Sequence, residues 1–169
     1  MGIPERIGKF RVERLLGTGA FASVYLGVDE ALASRVAIKV LADNWSHDDD
    51  IRRRFTDEAR ILRRADDDRI VRVHTVDELP DGRPYFVMDF ADGGTLHGRM
   101  QLRTMPIGEA VGVALQIALA LDVIHTMGLV HRDVKPTNVM FRSRPAHRRN
   151  GGRETVVLGD LGLAKATIE

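Results

Sequence analysis

The sequence predicts an α+β fold, with strands first and helices after. Three observations carry that reading. The first ninety residues hold alternating apolar and polar runs separated by turn signals, the mark of antiparallel strands. One helix-spaced stripe interrupts them: Ile51, Phe55, Glu58 and Leu62 fall at steps of four, three and four. Beyond Gly94 the pattern turns helical, with a stripe of Ile107, Val111, Ala114, Ala118 and Leu121.

Taken in order, Phe10 and Val12 alternate with polar neighbours, and Val24, Leu26 and Val28 alternate again after the turn-rich GTGAFAS, which suggests a hairpin. Arg35 to Leu41 is a third strand. Ile70 to Val76 and Tyr85 to Phe90 are two more, joined by the turn signal LPDGRP. Ser46 followed by Asp49 offers a start for the intervening helix. Ala91-Asp92-Gly93-Gly94 marks the boundary, dividing the chain into residues 1–91 and 92–169. The long helix should end near Met127-Gly128. Two apolar runs follow, Asn138 to Phe141 and Thr155 to Leu158, separated by SRPAHRRNGGRE, which reads as a basic surface loop.

Composition narrows the function. With 44% hydrophobic and 29% charged residues, 169 residues are enough to bury a core. A net charge of +1 lacks the basic excess of a dedicated nucleic-acid binder. No cysteine is present, which excludes disulfides, thiolate metal sites and cysteine nucleophiles and accords with a cytoplasmic home. The N-terminus lacks the apolar run of an export signal. The longest near-apolar stretch, Ala110 to Leu121, has 12 residues. A membrane helix needs about 18 or more, so no membrane segment is expected and this stretch reads as a buried helix. The six histidines show no metal-ligand spacing. Arginine outnumbers lysine 21 to 4, which singles out the few lysines.

Five short patterns carry chemistry. Gly17-Thr18-Gly19 sits in a turn between two strands, where a plain hairpin turn and a phosphate-covering loop are both open. A Rossmann fingerprint needs a helix after the glycines, and residues 23–28 alternate like a strand. Val36-Ala37-Ile38-Lys39 places a lysine in an apolar strand, where it must find an anion or snorkel to water. Glu58 puts a carboxylate on a core-facing helical stripe, and Lys39 is its natural partner. His131-Arg132-Asp133-Val134-Lys135-Pro136-Thr137-Asn138 cannot be a regular helix interior because of its proline. It offers a carboxylate to accept a proton, an ammonium for a phosphate and an amide oxygen for a hard cation. Asp160-Leu161-Gly162 follows an apolar run and can be a magnesium ligand or an ordinary turn.

In order and in approximate spacing, these patterns resemble those of the eukaryotic-type protein kinases. GTGAFASV matches the glycine-rich loop, VAIK the lysine strand, Glu58 helix C, HRDVKPTN the catalytic loop and DLG the metal-binding turn. YFVMDFADGGTL and LVHRDVKPTN look most like the bacterial serine/threonine branch, and Lys135 is the serine/threonine form of the catalytic loop. The resemblance implies a protein-kinase-like fold: a five-stranded antiparallel small lobe with helix C, then the first part of a helical large lobe. It implies transfer of the ATP γ-phosphate to protein Ser/Thr hydroxyls, with magnesium. Gly17 and Gly19 would cover the phosphates. Lys39 would contact them and pair with Glu58. Val24, Ala37 and Met140 would sandwich adenine, Met88 would be the gatekeeper, and the backbone of Asp89 and Ala91 would hydrogen-bond the base. Asp133 would act as base, Lys135 would meet the γ-phosphate, and Asn138 and Asp160 would hold Mg2+.

Three departures stand out. Ala22 replaces the third glycine, and Leu161 replaces the phenylalanine of the metal-binding turn. Only seven residues follow Gly162, so the activation segment and later helices of the family are missing from this sequence, and the spacing from Asn138 to Asp160 is lengthened by the basic insert. The alternative reading is therefore a truncated nucleotide-binding or regulatory module without catalysis, able to form a homodimer through its small lobe.

Overall fold

Alternation at the start of the chain becomes one antiparallel sheet in the computed structural model, which describes residues 2–143 and 154–161. The strands are β1 (Arg6–Ile7), β2 (Phe10–Thr18), β3 (Ala22–Asp29), β4 (Ser34–Leu41), β5 (Val73–Glu78) and β6 (Pro84–Asp89), ordered β1-β2-β3-β4-β6-β5. All five expected strands form. The sixth is a two-residue addition, pairing Ile7 with Phe10. Register shifts in β2 between Val12 and Arg14 and between Leu15 and Gly17 bend that strand. One face of the sheet buries Phe10, Val36, Ile38, Val40, Tyr85 and Val87.

The helix α1 (Asp49–Arg64) buries Ile51, Phe55, Glu58, Ala59 and Leu62, which is the expected stripe. Its start differs from expectation by two residues. The Asp48 carboxylate, rather than Ser46, accepts the Ile51 N–H at 2.9 Å, satisfying one of the open donors of the first turn. A short 3-10 turn, Asp43–Trp45, precedes it.

The chain crosses between two compact units after Arg63, Val71 and Phe90. The strand expected from Ile70 begins only at Val73, because Ile70 bridges in parallel to Leu158 within the second unit. That unit contains α2 (Leu96–Leu102), capped by the Thr95 hydroxyl, α3 (Ile107–Thr126), β7 (Val139–Arg142) and β8 (Thr155–Leu158). The two apolar runs after α3 pair with each other as an antiparallel hairpin. Residues 144–153 of the basic segment, and Gly162 of the DLG turn, lie outside the described residues.

The helix α3 ends where expected, with Gly128 at φ 73° just beyond it. Its buried side is not the expected one. Val113, Ala120 and Ile124 are buried, whereas Ile107 is 84% exposed and Val111 61%. The physical reason is that α3 is apolar nearly all round, so its own periodicity selects no face and its neighbours do. The helix packs on β8, where the Gln116 side-chain oxygen accepts the Val156 N–H at 3.0 Å. At 20 residues, with an 18-residue window of mean hydropathy 1.9, it is also long and apolar enough by length and composition to cross a membrane, which corrects the expectation of a run too short to do so. Only 17% of its most apolar window is buried within the chain, so it is not the buried helix that the sequence predicts.

Candidate active site

The first unit contributes a loop and a sheet face. β2 ends at Thr18 and β3 begins at Ala22, so Gly19, Ala20 and Phe21 form the hairpin tip, closed by the Gly19 N–H on the Ala22 carbonyl at 2.8 Å. A Cβ at Gly17 would meet nothing within 4 Å, and one at Gly19 would meet only the Ala22 oxygen at 3.6 Å. Neither glycine has a left-handed φ. The protein's own packing therefore does not require glycine at either position.

Cross-strand partners in an antiparallel sheet share a face. Val24 lies opposite Lys39, Lys39 opposite Phe86, and Ala37 opposite Met88. One face thus carries Val24, Ala37, Lys39, Phe86 and Met88. The helix α1 packs against it, with Phe55 and Phe86 ring centres 5.0 Å apart. Glu58 comes down on the same face. The Lys39 ammonium lies 2.8 Å from Glu58 Oε1 and 3.0 Å from Oε2, with only 7% of Lys39 and 1% of Glu58 exposed. A lone charge at that depth would be costly, and the pair offsets the loss of water. The ammonium also sits 5.6 Å from the Phe86 ring centre. At the end of β6, the Asp89 N–H donates to the Arg72 carbonyl at 3.0 Å, and its carboxylate meets His74 Nε2 at 2.7 Å.

The second unit contributes the irregular stretch from His131 to Asn138, between α3 and β7. His131 is 1% exposed. Its Nδ1 accepts the Asp133 N–H at 3.3 Å, so Nε2 carries the proton and donates to the Gly159 carbonyl at 3.2 Å. Burial pushes its pKa below the usual histidine value. Two donors converge on Asp133 Oδ2: the Lys135 ammonium at 2.6 Å and Asn138 Nδ2 at 2.9 Å. Asn138 Nδ2 also donates to the Asp133 carbonyl at 2.9 Å. With both amide hydrogens committed, Asn138 presents its oxygen as the end left for a cation.

Asp160 is joined to this stretch through Gly159. The Gly159 N–H donates to the Asn138 carbonyl at 3.1 Å, just beyond the Val139–Leu158 pair of the β7–β8 hairpin. A Cβ there would stand 2.6 Å from the Met140 methyl and 3.1 Å from Val71, so a side chain at this position would require the Met140 end to swing aside and Val71 to give slightly. Asp160 takes a left-handed φ of 54°, and Arg132 one of 63°. Both are uncommon for non-glycine residues and sit beside the chemistry-bearing carboxylates. Leu161 is 1% exposed, so the leucine of DLG fills a packing slot. Of the catalytic loop's apolar neighbours, Val139 is buried and Val130 exposed.

Each unit gathers its own expected residues: Val24, Ala37, Lys39, Glu58 and Met88 in the first, Asp133, Lys135, Asn138, Met140 and Asp160 in the second. Two contributors escaped the sequence patterns as site residues. His131 was visible within the HRD string, but its burial was not. Gly159 left one signal, a glycine breaking the TVVL run immediately before Asp160.

A lysine strand paired to a helical glutamate, an HRD loop and an Asp-bearing turn after a β-hairpin define the catalytic apparatus of the protein kinases. The chain belongs to the protein kinase domain family, whose pattern it matches over residues 10–169. It is 41% identical over 157 residues to the serine/threonine-protein kinase PknJ of Mycobacterium tuberculosis, covering 93% of this chain and 26% of that protein. It is 38% identical over 160 residues to the serine/threonine-protein kinase Pkn1 of Myxococcus xanthus, covering 95% of this chain and 22% of that protein. Among solved structures, a double mutant of the Mycobacterium tuberculosis PknI kinase domain superposes with a TM-score of 0.77 at 30% identity, covering 98% of this chain and 64% of that one. The chain thus spans about a quarter of the curated relatives it matches, and the α+β kinase fold extends across it.

Proposed function

We propose that this chain carries the nucleotide half of a serine/threonine protein kinase, transferring the γ-phosphoryl group of ATP to Ser or Thr hydroxyls of a protein substrate. The observation that carries this reading is the buried pairing of Lys39 with both oxygens of Glu58. A strand lysine held that firmly in a nearly closed environment is aimed, and the family's use for an aimed lysine is the ATP phosphates. The two glycines of the loop support it, since their own surroundings leave space for a side chain. Val24, Ala37, Met88 and Met140 serve the adenine ring, as do the backbone groups of Asp89 and Ala91. With its N–H committed to Arg72, Asp89 has its carbonyl to offer.

Asp133 orients the acceptor hydroxyl and takes its proton. Both neighbouring donors engage Oδ2, which leaves Oδ1 for the hydroxyl. Lys135 neutralises the γ-phosphate. The Asn138 oxygen and the Asp160 carboxylate suit magnesium, a hard cation that keeps waters and substrate oxygens in its shell and needs few protein ligands. Among the described residues no group of three or more His, Cys, Asp or Glu forms a self-sufficient metal cage, which fits an ion shared with a phosphate. Magnesium, when bound, offsets the charge of the β- and γ-phosphates. The division expected at residues 1–91 and 92–169 differs from the two compact units at the stretch 64–71 and at Ala91, which belong with the second unit. The first unit serves as the nucleotide-binding lobe and the second as part of the catalytic lobe, acting in the cytoplasm, where ATP is held.

The test is radiolabelled-phosphate transfer to a generic protein acceptor, with Asp133→Asn as control and phosphoamino-acid analysis of the product. Label on serine and threonine that the control abolishes is the expected result. Label mainly on tyrosine, or transfer that survives Asp133→Asn, would overturn the reading.

A further inference from the structure

The tip of the glycine loop is tied down, and the tie is the chain's single tryptophan. The Trp45 indole N–H donates to the Ala20 carbonyl at 2.9 Å, and its ring packs on Phe21 with centroids 5.2 Å apart and planes tilted by 52°. The Ala42 N–H donates to the Phe21 carbonyl at 2.9 Å. Two successive carbonyls of the tip are therefore held by the stretch that leaves β4. Trp45 is itself fixed from both sides, its N–H on the Ala42 carbonyl at 3.0 Å and its carbonyl accepting the Asp48 N–H at 3.1 Å. Asp48 in turn caps α1, the helix that carries Glu58.

A trans peptide points its C=O and N–H in opposite directions, and all described peptides are trans. Holding the Ala20 carbonyl therefore sets the direction of the Phe21 N–H, and holding the Phe21 carbonyl sets that of the Ala22 N–H. Backbone N–H groups are what a glycine-rich loop offers to phosphate oxygens. We propose that Trp45 is a positioning residue for the nucleotide phosphates: it latches the glycine loop so that these N–H groups are oriented before ATP arrives. This rests on the kinase reading above. The latch acts on phosphates and not on the base, which separates it from a general role in stability.

The experiment compares Mg-ATP and adenosine binding to the 169-residue chain and to Trp45→Phe, which keeps an aromatic ring against Phe21 and deletes the indole N–H. Losing one oriented hydrogen bond should weaken Mg-ATP by about fivefold, with adenosine affinity unchanged. Equal weakening of both ligands, or undiminished Mg-ATP affinity, overturns the latch. A second arm needs no variant. Trp45 is the sole source of tryptophan emission, so saturating Mg-ATP should shift the emission of the unaltered chain and adenosine should not. Emission indifferent to Mg-ATP also overturns the latch. If the unaltered chain binds no ATP, the kinase reading falls and the latch with it. If it binds ATP but fails in either Trp45 comparison, the latch alone falls.

Discussion

Two lysine–carboxylate pairs of nearly equal length do opposite things in this molecule. Lys39 reaches Glu58 at 2.8 Å, with side chains 9% and 1% exposed. Lys135 reaches Asp133 at 2.6 Å, with side chains 51% and 35% exposed. Distance alone would rank them alike. Burial does not: in water such a pair is screened and weak, whereas in the interior removing one partner leaves the other charge with much less compensation for its lost hydration. The first pair is a fixture that sets where a lysine sits. The second can exchange its partner for a substrate group at little cost, which is what the roles proposed for Asp133 and Lys135 require.

That contrast can be broken most severely at Asp133. Asp133→Asn should lower phosphoryl-transfer turnover by about 10²–10⁴-fold, the usual contribution of a positioned base, while ATP affinity stays near its original value. Steady-state kinetics with a direct binding measurement would check it, and loss of binding with turnover per bound nucleotide preserved would reverse the roles assigned to the two pairs. Next in size is stability. Glu58→Ala removes one partner of the buried pair and should cost about 3 kcal/mol of folding free energy. Lys135→Ala at the exposed pair should cost under about 1 kcal/mol. Urea denaturation of both variants compares the pairs directly, and equal losses would mean that burial is not what distinguishes them.

A smaller effect sharpens the account of the second unit. Asp160→Asn should weaken ATP binding in magnesium by about tenfold, the scale of lost metal-ligand support, and weaken metal-free binding less. Calorimetry with and without a chelator measures both, and equal weakening would remove Asp160 from the metal site. The smallest expected effect concerns pH. His131 has its folded pKa lowered, chiefly by burial. The unfolded chain therefore binds the proton more readily, so the stability due to neutral His131 is complete above the unfolded value of about 6.5. It is lost as pH falls from there through the lower folded value. His131→Gln should flatten the stability profile in that window, and an unchanged slope would show that His131 does not drive it.

The buried pair was legible because both partners announce themselves locally. VAIK reads as an apolar strand with one charge, and Ile51, Phe55, Glu58 and Leu62 are one helical face against a polar remainder. The helix α3 offered no such contrast, and which of its residues are buried, Val113, Ala120 and Ile124, is not marked by its own pattern. The strand start at Val73 was hidden for a related reason. Ile70 and Val71 are as apolar as a strand requires, but they engage Leu158, nearly ninety residues away in sequence. The motifs gave the types of groups at the site. They did not give the tautomer of His131, the turn of the Asn138 amide or the grip of Trp45 on the loop tip, since each depends on a partner that no local pattern names.

Gly159 carries a consequence for how this protein tolerates change. Its N–H holds the Asn138 carbonyl, its carbonyl receives the His131 proton, and its α-carbon sits close beside Met140 and Val71. Substitutions at His131, Asn138 and Asp160 therefore share one backbone hinge point, and their effects should be strongly epistatic. Once one of them has shifted Gly159, a second has less left to disturb, and the double variant falls short of the sum of the singles. Evolutionary drift in this region would accordingly be concerted: accepted replacements would arrive in compensating sets around that shared backbone contact.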